Sequence, residues 1–133
     1  MLFLDANFFV FAVGDMTKKG ESARQLQREI IIGKKQAVTS VAVLDEVMWA
    51  LIKNKKKHLV RRVVEDIYAF PNLEIKPVTV STPIRVLDIM DMYNLKPRDA
   101  LHVAVMEECN LKTIVSDDAD FDRVRTIKRI GFS

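Results

Sequence analysis

Short, nearly unbroken apolar runs alternate along this chain with longer stretches in which apolar residues recur at the helical period. Met1–Leu4 is the first run, closed at once by a carboxylate, and it reads as a buried strand. Gln36–Thr39, Leu73–Pro77 and Lys112–Val115 read the same way, and Thr126–Ile130 reads as a fifth strand at an edge. Phe8, Phe9, Val10 and Phe11 belong to a helix after the first strand, suited equally to a core or an interface. Glu21–Ile32 predicts a helix stopped by Gly33. Ser40 is placed to cap a helix running to about Asn54. A further helix spans about His58 to Phe70 and ends before Pro71. Thr82 is placed to cap a helix starting at Pro83, and Pro97 opens another that carries Ala100, Leu101, Ala104 and Val105. Proline suits both starts, because its missing N–H costs nothing in a first turn. Short apolar strands alternating with helices predict an α/β chain with a parallel sheet of four to five strands covered on both faces.

Composition narrows the class. The 133 residues, with no repeat, low-complexity tract or linker-like shift, suit one domain over 1–133. Hydrophobic residues at 49% and charged residues at 29% exclude disorder and fibrous repeats. The single cysteine, Cys109, cannot build a disulfide framework or a Cys-rich zinc site within one chain, which suits a reducing cytoplasm, and it reads as a small buried hydrophobe. No apolar run approaches the roughly 20 residues of a membrane span, and MLFLDANFFVFAVG lacks a basic leader and carries Asp5, so neither a signal peptide nor a membrane partner is expected. The net charge is +3, and the basic residues fall in two clusters: Lys53, Lys55, Lys56, Lys57, Arg61 and Arg62, then Arg123, Arg125, Lys128 and Arg129. Such clusters fit a solvated helix face or a nucleic-acid partner.

The acids are the informative residues. In open α/β sheets, sites form beyond the carboxyl ends of the strands. Asp5 follows the first strand directly, and Asp117, Asp118 and Asp120 follow the fourth. Glu46 lies in the helix after the second strand, bordering the stripe of Val43, Val47 and Ala50, while Asp45 points away. Asp99 falls in the first turn after Pro97. Each has an ordinary explanation: Asp99 complements a helix dipole, Asp118 caps a short turn through Phe121, and Asp5 starts an Asx-turn. Together, four separated segments place carboxylates at one sheet edge. Such a group repels itself at neutral pH unless a hard, oxygen-preferring cation, Mg²⁺ or Mn²⁺, lies among them. Setting aside Asp5, Glu46, Asp99 and Asp118 leaves 14 acids against 21 bases, a remainder of +7. A basic body around an acidic pocket suits a metal-dependent nuclease.

The segments LDAN (Leu4–Asn7), SVAVLDE (Ser40–Glu46), PRDALHVAV (Pro97–Val105) and VSDDADF (Val115–Phe121) resemble, in order and across nearly the whole chain, the PIN-domain ribonucleases, and more narrowly the VapC-type toxins of VapBC toxin–antitoxin systems. The resemblance implies a three-layer α/β/α fold and hydrolysis of RNA phosphodiester bonds with Mg²⁺ or Mn²⁺ as cofactor. It makes Asp5, Glu46, Asp99 and Asp118 the catalytic, metal-holding quartet, with Asp120 as a further ligand. Asn7, Ser40, Ser116 and Asp117 then surround and orient them. The family's last motif usually reads Thr-x-Asp-x-Asp-Phe. Here it is Ser116-Asp117-Asp118-Ala119-Asp120-Phe121, which selects Asp118 over Asp117 and replaces the threonine by serine. An RNA substrate, a small inhibitory antitoxin and a homodimer are the implied partners.

Other expectations concern residues outside the quartet. His102 lies one helical turn from Asp99 and is expected to pack between helices rather than serve the site. Trp49 and the phenylalanines are expected in the core. Competing functions are a PIN-fold RNA-processing nuclease outside a toxin–antitoxin pair, a PIN-fold binding module without catalysis, a receiver domain, and a dehalogenase-type phosphatase. The receiver wants an acid ending its central strand, which LEIKP does not offer, and the phosphatase wants a second acid where Asn7 stands.

Overall fold

A computed structural model describes all of residues 1–133. Five strands, β1 (Leu2–Leu4), β2 (Ala37–Ser40), β3 (Leu73–Lys76), β4 (Thr113–Val115) and β5 (Lys128–Ile130), form one sheet in the order β3-β2-β1-β4-β5. Every pairing is parallel, with Phe3 opposite both Val38 and Ile114. The helices are α1 (Ala6–Gly14), α2 (Lys18–Ile31), α3 (Val41–Lys53), α4 (Val60–Tyr68), α5 (Thr82–Tyr93) and α6 (Pro97–Glu108). Successive strand residues point to opposite faces, yet Phe3 and Leu4, Ala37 and Val38, and Ile114 and Val115 are all buried, so both faces of the sheet are covered. That is the three-layer arrangement the alternating pattern predicts.

Chain order makes β1 the pivot. The connection from β1 runs out through β2 to β3 on one side, whereas β4 and β5 fill the other. The resulting crevice beyond the carboxyl ends of β1 and β4 is where α/β sheets place their ligands. Asp5 N–H donates to Val115 O at 3.1 Å, which ties the end of β1 to the end of β4 at that crevice.

Local chemistry sets the element ends. Ser40 closes β2 and caps α3, its hydroxyl accepting from Val43 N–H at 3.3 Å. Helix α2 starts at Lys18, ahead of the expected Glu21, because Thr17 caps it and Gly20 lies against the backbone of Asp15. Gly33 adopts φ 83°, the left-handed stop expected of it. The segment expected as a helix from His58 opens instead as a short 3₁₀ turn, Lys57–Leu59, and becomes α-helical only at Val60. Thr82 is not the cap of α5. It is buried inside the first turn, accepts from Thr79 N–H at 3.0 Å and donates to Glu108 at 2.7 Å, which fastens the start of α5 to the end of α6.

Phe8 and Phe9 join the core, while Val10 and Phe11 are half-buried. Cys109 is half-buried rather than fully so. Trp49 departs furthest from expectation: it is 60% exposed.

Candidate functional site

Asp5 sits at the junction of β1 and α1, with its carboxylate accepting from Ala6 N–H at 2.8 Å. It is buried, and its other oxygen accepts from the Ser116 hydroxyl at 2.6 Å. Ser116 follows β4, and its hydroxyl oxygen also accepts from Asp118 N–H at 3.0 Å. One buried hydroxyl therefore registers the first strand's acid against the loop that carries Asp118. Serine in place of threonine retains this link. Asn7 reinforces the loop, accepting from Asp117 N–H at 3.2 Å and approaching Ser116 Oγ at 3.4 Å. Asp118 caps the 3₁₀ turn Ala119–Arg123 through Asp120 N–H at 2.9 Å, so the capping explanation and the pocket position hold together.

Two triads of ligand atoms result. Asp5, Glu46 and His102 bring one oxygen or nitrogen each within 4.8 Å of one another, and Asp99, Asp118 and Asp120 do the same. The triads face each other electrostatically. Burial, followed by the charges of Asp118 and Asp5, pushes the Asp99 carboxyl up to about 6, with Glu46 adding to the effect. Burial also lifts Asp5 above the ordinary carboxylate range, with His102 and the Ser116 hydrogen bond offsetting part of the rise. No lysine or arginine lies within ion-pair distance of Asp5, Asp99 or Asp118.

The rim differs. Arg98 stands 3.7 Å from Glu46, Arg123 lies 3.3 Å from Asp120, and Asp117 turns outward to Lys19 at 2.8 Å. Ser40 hydrogen-bonds the α3 backbone and no carboxylate. Of the nine residues expected at the site, the structure gathers Asp5, Glu46, Asp99, Asp118 and Asp120 with Asn7 and Ser116. Ser40 acts as a helix cap, and Asp117 faces outward.

His102 is packed in the interior as expected, but it also touches the site's acids. It is fully buried, and its Nε2 meets Glu46 Oε1 at 2.5 Å and stands 3.7 Å from Asp5. Burial opposes charge on the ring, but the Glu46 hydrogen bond and the nearby Asp5, Glu46 and Asp99 charges outweigh it and raise the pKa. Nδ1 has no partner. The i, i+3 spacing from Asp99 contained this signal, but a histidine among Ala100, Val103 and Ala104 reads first as packing.

The donor set tests well for a hard divalent ion. Five carboxylates supply oxygen, Asp5, Asp99 and Asp118 have no lysine or arginine within ion-pair distance, and a cation would offset the burial and mutual repulsion that raise Asp99.

Comparison with known proteins agrees with this geometry. A family model described as PIN domain matches residues 2–127. Ribonuclease VapC13 of Mycobacterium tuberculosis is 27% identical over 132 residues, covering 98% of this chain and all of its own length. Among solved structures, VapC20 of Mycobacterium tuberculosis, described as a sarcin-ricin-loop-cleaving toxin, superposes with a TM-score of 0.78 at 17% identity, covering 96% of this chain and 97% of that one. The VapBC2 complex of Rickettsia felis, bound to a DNA fragment from its promoter, superposes with a TM-score of 0.74 at 18% identity over the full length of both chains. At such identities the two structures establish the fold. β3 lies at the edge of the sheet, and the central strand does end in an acid, so the receiver reading falls on the family match and not on a missing strand-end carboxylate.

Proposed function

The chain belongs to the PIN domain family, and from that premise we propose that it is a metal-dependent endoribonuclease of the VapC toxin type, with Asp5, Glu46, Asp99 and Asp118 as its catalytic acids and Asp120 as a further ligand. One observation carries the reading: acids from four separated segments converge at the sheet's switch point, and three of them have no lysine or arginine to neutralise them.

Asp5, Asp99 and Asp118 would hold the ion, with Glu46 and Asp120 at its flanks, and Mg²⁺ or Mn²⁺ fits the oxygen donors. Such an ion, when bound, acidifies a water and polarises a phosphoryl oxygen. The chain's own residues supply the positioning. Ser116 fixes Asp5 and the Asp118 loop to one hydroxyl. His102 holds the Glu46 carboxylate from behind, so that Glu46 reaches the pocket in one orientation. Arg98, with Lys53 at the end of α3 and Lys55, Lys56 and Lys57 just beyond it, gives the RNA backbone its countercharge near the pocket.

A small antitoxin and a second copy of the chain complete the reading. Antitoxin complexes among the structural relatives support the first. Val80 just before α5, and Ile84 and Leu87 within it, are exposed apolar residues and support the second. No helix is long and apolar enough to cross a membrane, and a single free cysteine is compatible with a reducing cytoplasm.

The test is cleavage of single-stranded RNA by the purified chain with Mn²⁺, with EDTA, and with Asp5→Asn. The expected result is metal-dependent cleavage that falls at least about a hundredfold in the variant while its circular dichroism is unchanged. Cleavage that persists in EDTA or in Asp5→Asn contradicts the reading. Manganese binding without any cleavage favours the non-catalytic module.

A further inference from the structure

Beside the carboxylates lies a second concavity, of about 490 Å³, lined by Asn7, Val10, Glu46, Trp49, Lys53 and Arg98 among others. Its volume falls in the range of ordinary ligand clefts, about 300–1,000 Å³. Asn7 and Glu46 belong to this concavity and to the acidic pocket, so the two are continuous.

Helical geometry explains its lining. At about 100° per residue, Trp49 lies about 60° and Lys53 about 20° around α3 from Glu46, on the flank opposite the buried stripe of Val43, Leu44, Val47 and Leu51. The helix therefore presents an acid to the metal pocket, an indole one turn further along and a cation two turns along. Trp49 is 60% exposed. A large aromatic left in water next to a phosphodiester-cleaving site does nothing for the core, and its neighbours Lys53 and Arg98 carry the charge that a phosphate requires.

We propose that this concavity is a nucleobase subsite: the base of a nucleotide flanking the scissile phosphate stacks on the Trp49 indole, while Lys53 and Arg98 engage the adjoining phosphates. The proposal rests on the ribonuclease reading above and adds how the substrate is held. Single-stranded nucleic acids are bound in this way, by aromatic platforms beside cationic grooves, because every base offers a face to stack. Charge complementarity and continuity with the acidic pocket identify the occupant as RNA. An apolar protein segment would cover Lys53 without a partner and strip water from the Arg98–Glu46 pair.

Trp49 is the only tryptophan, so its fluorescence reports this one position. Asp5→Asn chain with Mn²⁺ is titrated with a short single-stranded oligoribonucleotide. The expected result is saturable quenching, matched by loss of affinity on the order of tenfold to a hundredfold in Trp49→Ala and substantial retention in Trp49→Phe. In cleavage assays Trp49→Ala raises KM more than it lowers kcat, and an abasic nucleotide beside the cleaved bond removes the difference between Trp49→Ala and wild type. Unchanged fluorescence and unchanged KM in Trp49→Ala overturn the subsite while leaving a metal-dependent nuclease intact. A blue shift that follows protein concentration or added antitoxin, and not RNA, overturns it in favour of a protein contact. Absence of cleavage by wild type under all metals defeats the ribonuclease reading itself.

Discussion

Asp99 concentrates the physics of the site. Burial and the neighbouring Asp118 and Asp5 charges hold its carboxyl at about 6 against an ordinary value of 3.8. Between those values the folded chain keeps a proton that the unfolded chain releases, so without metal the folded state loses stability as pH rises through that window. A divalent ion replaces the proton as counter-charge. Thermal denaturation should therefore show a larger gain in Tm on adding Mn²⁺ at neutral pH than at about pH 5. Equal gains at both values contradict the coupling. Asp99→Asn should raise the metal-free Tm at neutral pH and abolish the response to Mn²⁺. Ser116→Ala leaves Asp5 Oδ2 and Asp118 N–H without their shared partner, and should lower kcat more than it lowers stability, since misplaced ligands cost more than one hydrogen bond of about 1 kcal/mol.

The same scale shows what the sequence made legible. Asp5 and the acids Asp117, Asp118 and Asp120 can be placed at the crevice because they follow strands of a parallel sheet, and the family resemblance then selects Asp118 among the three. Asp99 followed from Pro97 in the same way. Trp49 departs from expectation because its residue type suggests core while its helical position does not, whereas His102 is buried as expected and departs only in also meeting Glu46. Trp49 lies off the apolar stripe of α3 on angle alone, and His102 projects from α6 one turn beyond Asp99. Nothing local to either residue could supply the partner, because Glu46 reaches His102 from 56 positions away.

Elements are set by close contacts at their ends. A Cβ at Gly20 would stand 1.8 Å from the Asp15 carbonyl oxygen, where the start of α2 folds against the end of α1. Backbone cannot yield cheaply there, so Gly20→Ala should destabilise by about 1–3 kcal/mol or more. Gly14, the last residue of α1, meets only the Lys56 ammonium at an ordinary 3.6 Å, and Gly14→Ala should be neutral or stabilise by up to about 1 kcal/mol. Chemical denaturation of the pair checks both signs. Strand and helix identities were readable because runs and periods are local. The ends were less so: Thr82 reads as a cap from its neighbours, and only its bond to Glu108 of α6, across 26 residues, shows why it is drawn into the helix.

At the scale of the molecule, five parallel strands place acids from separated segments at one crevice, and the remaining surface is basic. Four of the arginines counted as basic surface in the sequence are ion-paired, Arg61 to Glu65, Arg62 to Asp66, Arg123 to Asp120 and Arg129 to Asp122, whereas Lys53, Lys55, Lys56 and Lys57 have no ion pair. RNA affinity should therefore fall with salt, and neutralising Lys53 and Lys56 should reduce that slope while Arg129→Gln leaves it nearly unchanged.

The central claim is that these carboxylates enclose a divalent cation, and anomalous diffraction at the manganese edge from Mn²⁺-soaked crystals tests it most directly. The account predicts a peak about 2.1 Å from oxygens of Asp5, Asp99 and Asp118. A crevice without such a peak at saturating Mn²⁺, or a peak bound only by acids elsewhere on the surface, would contradict it.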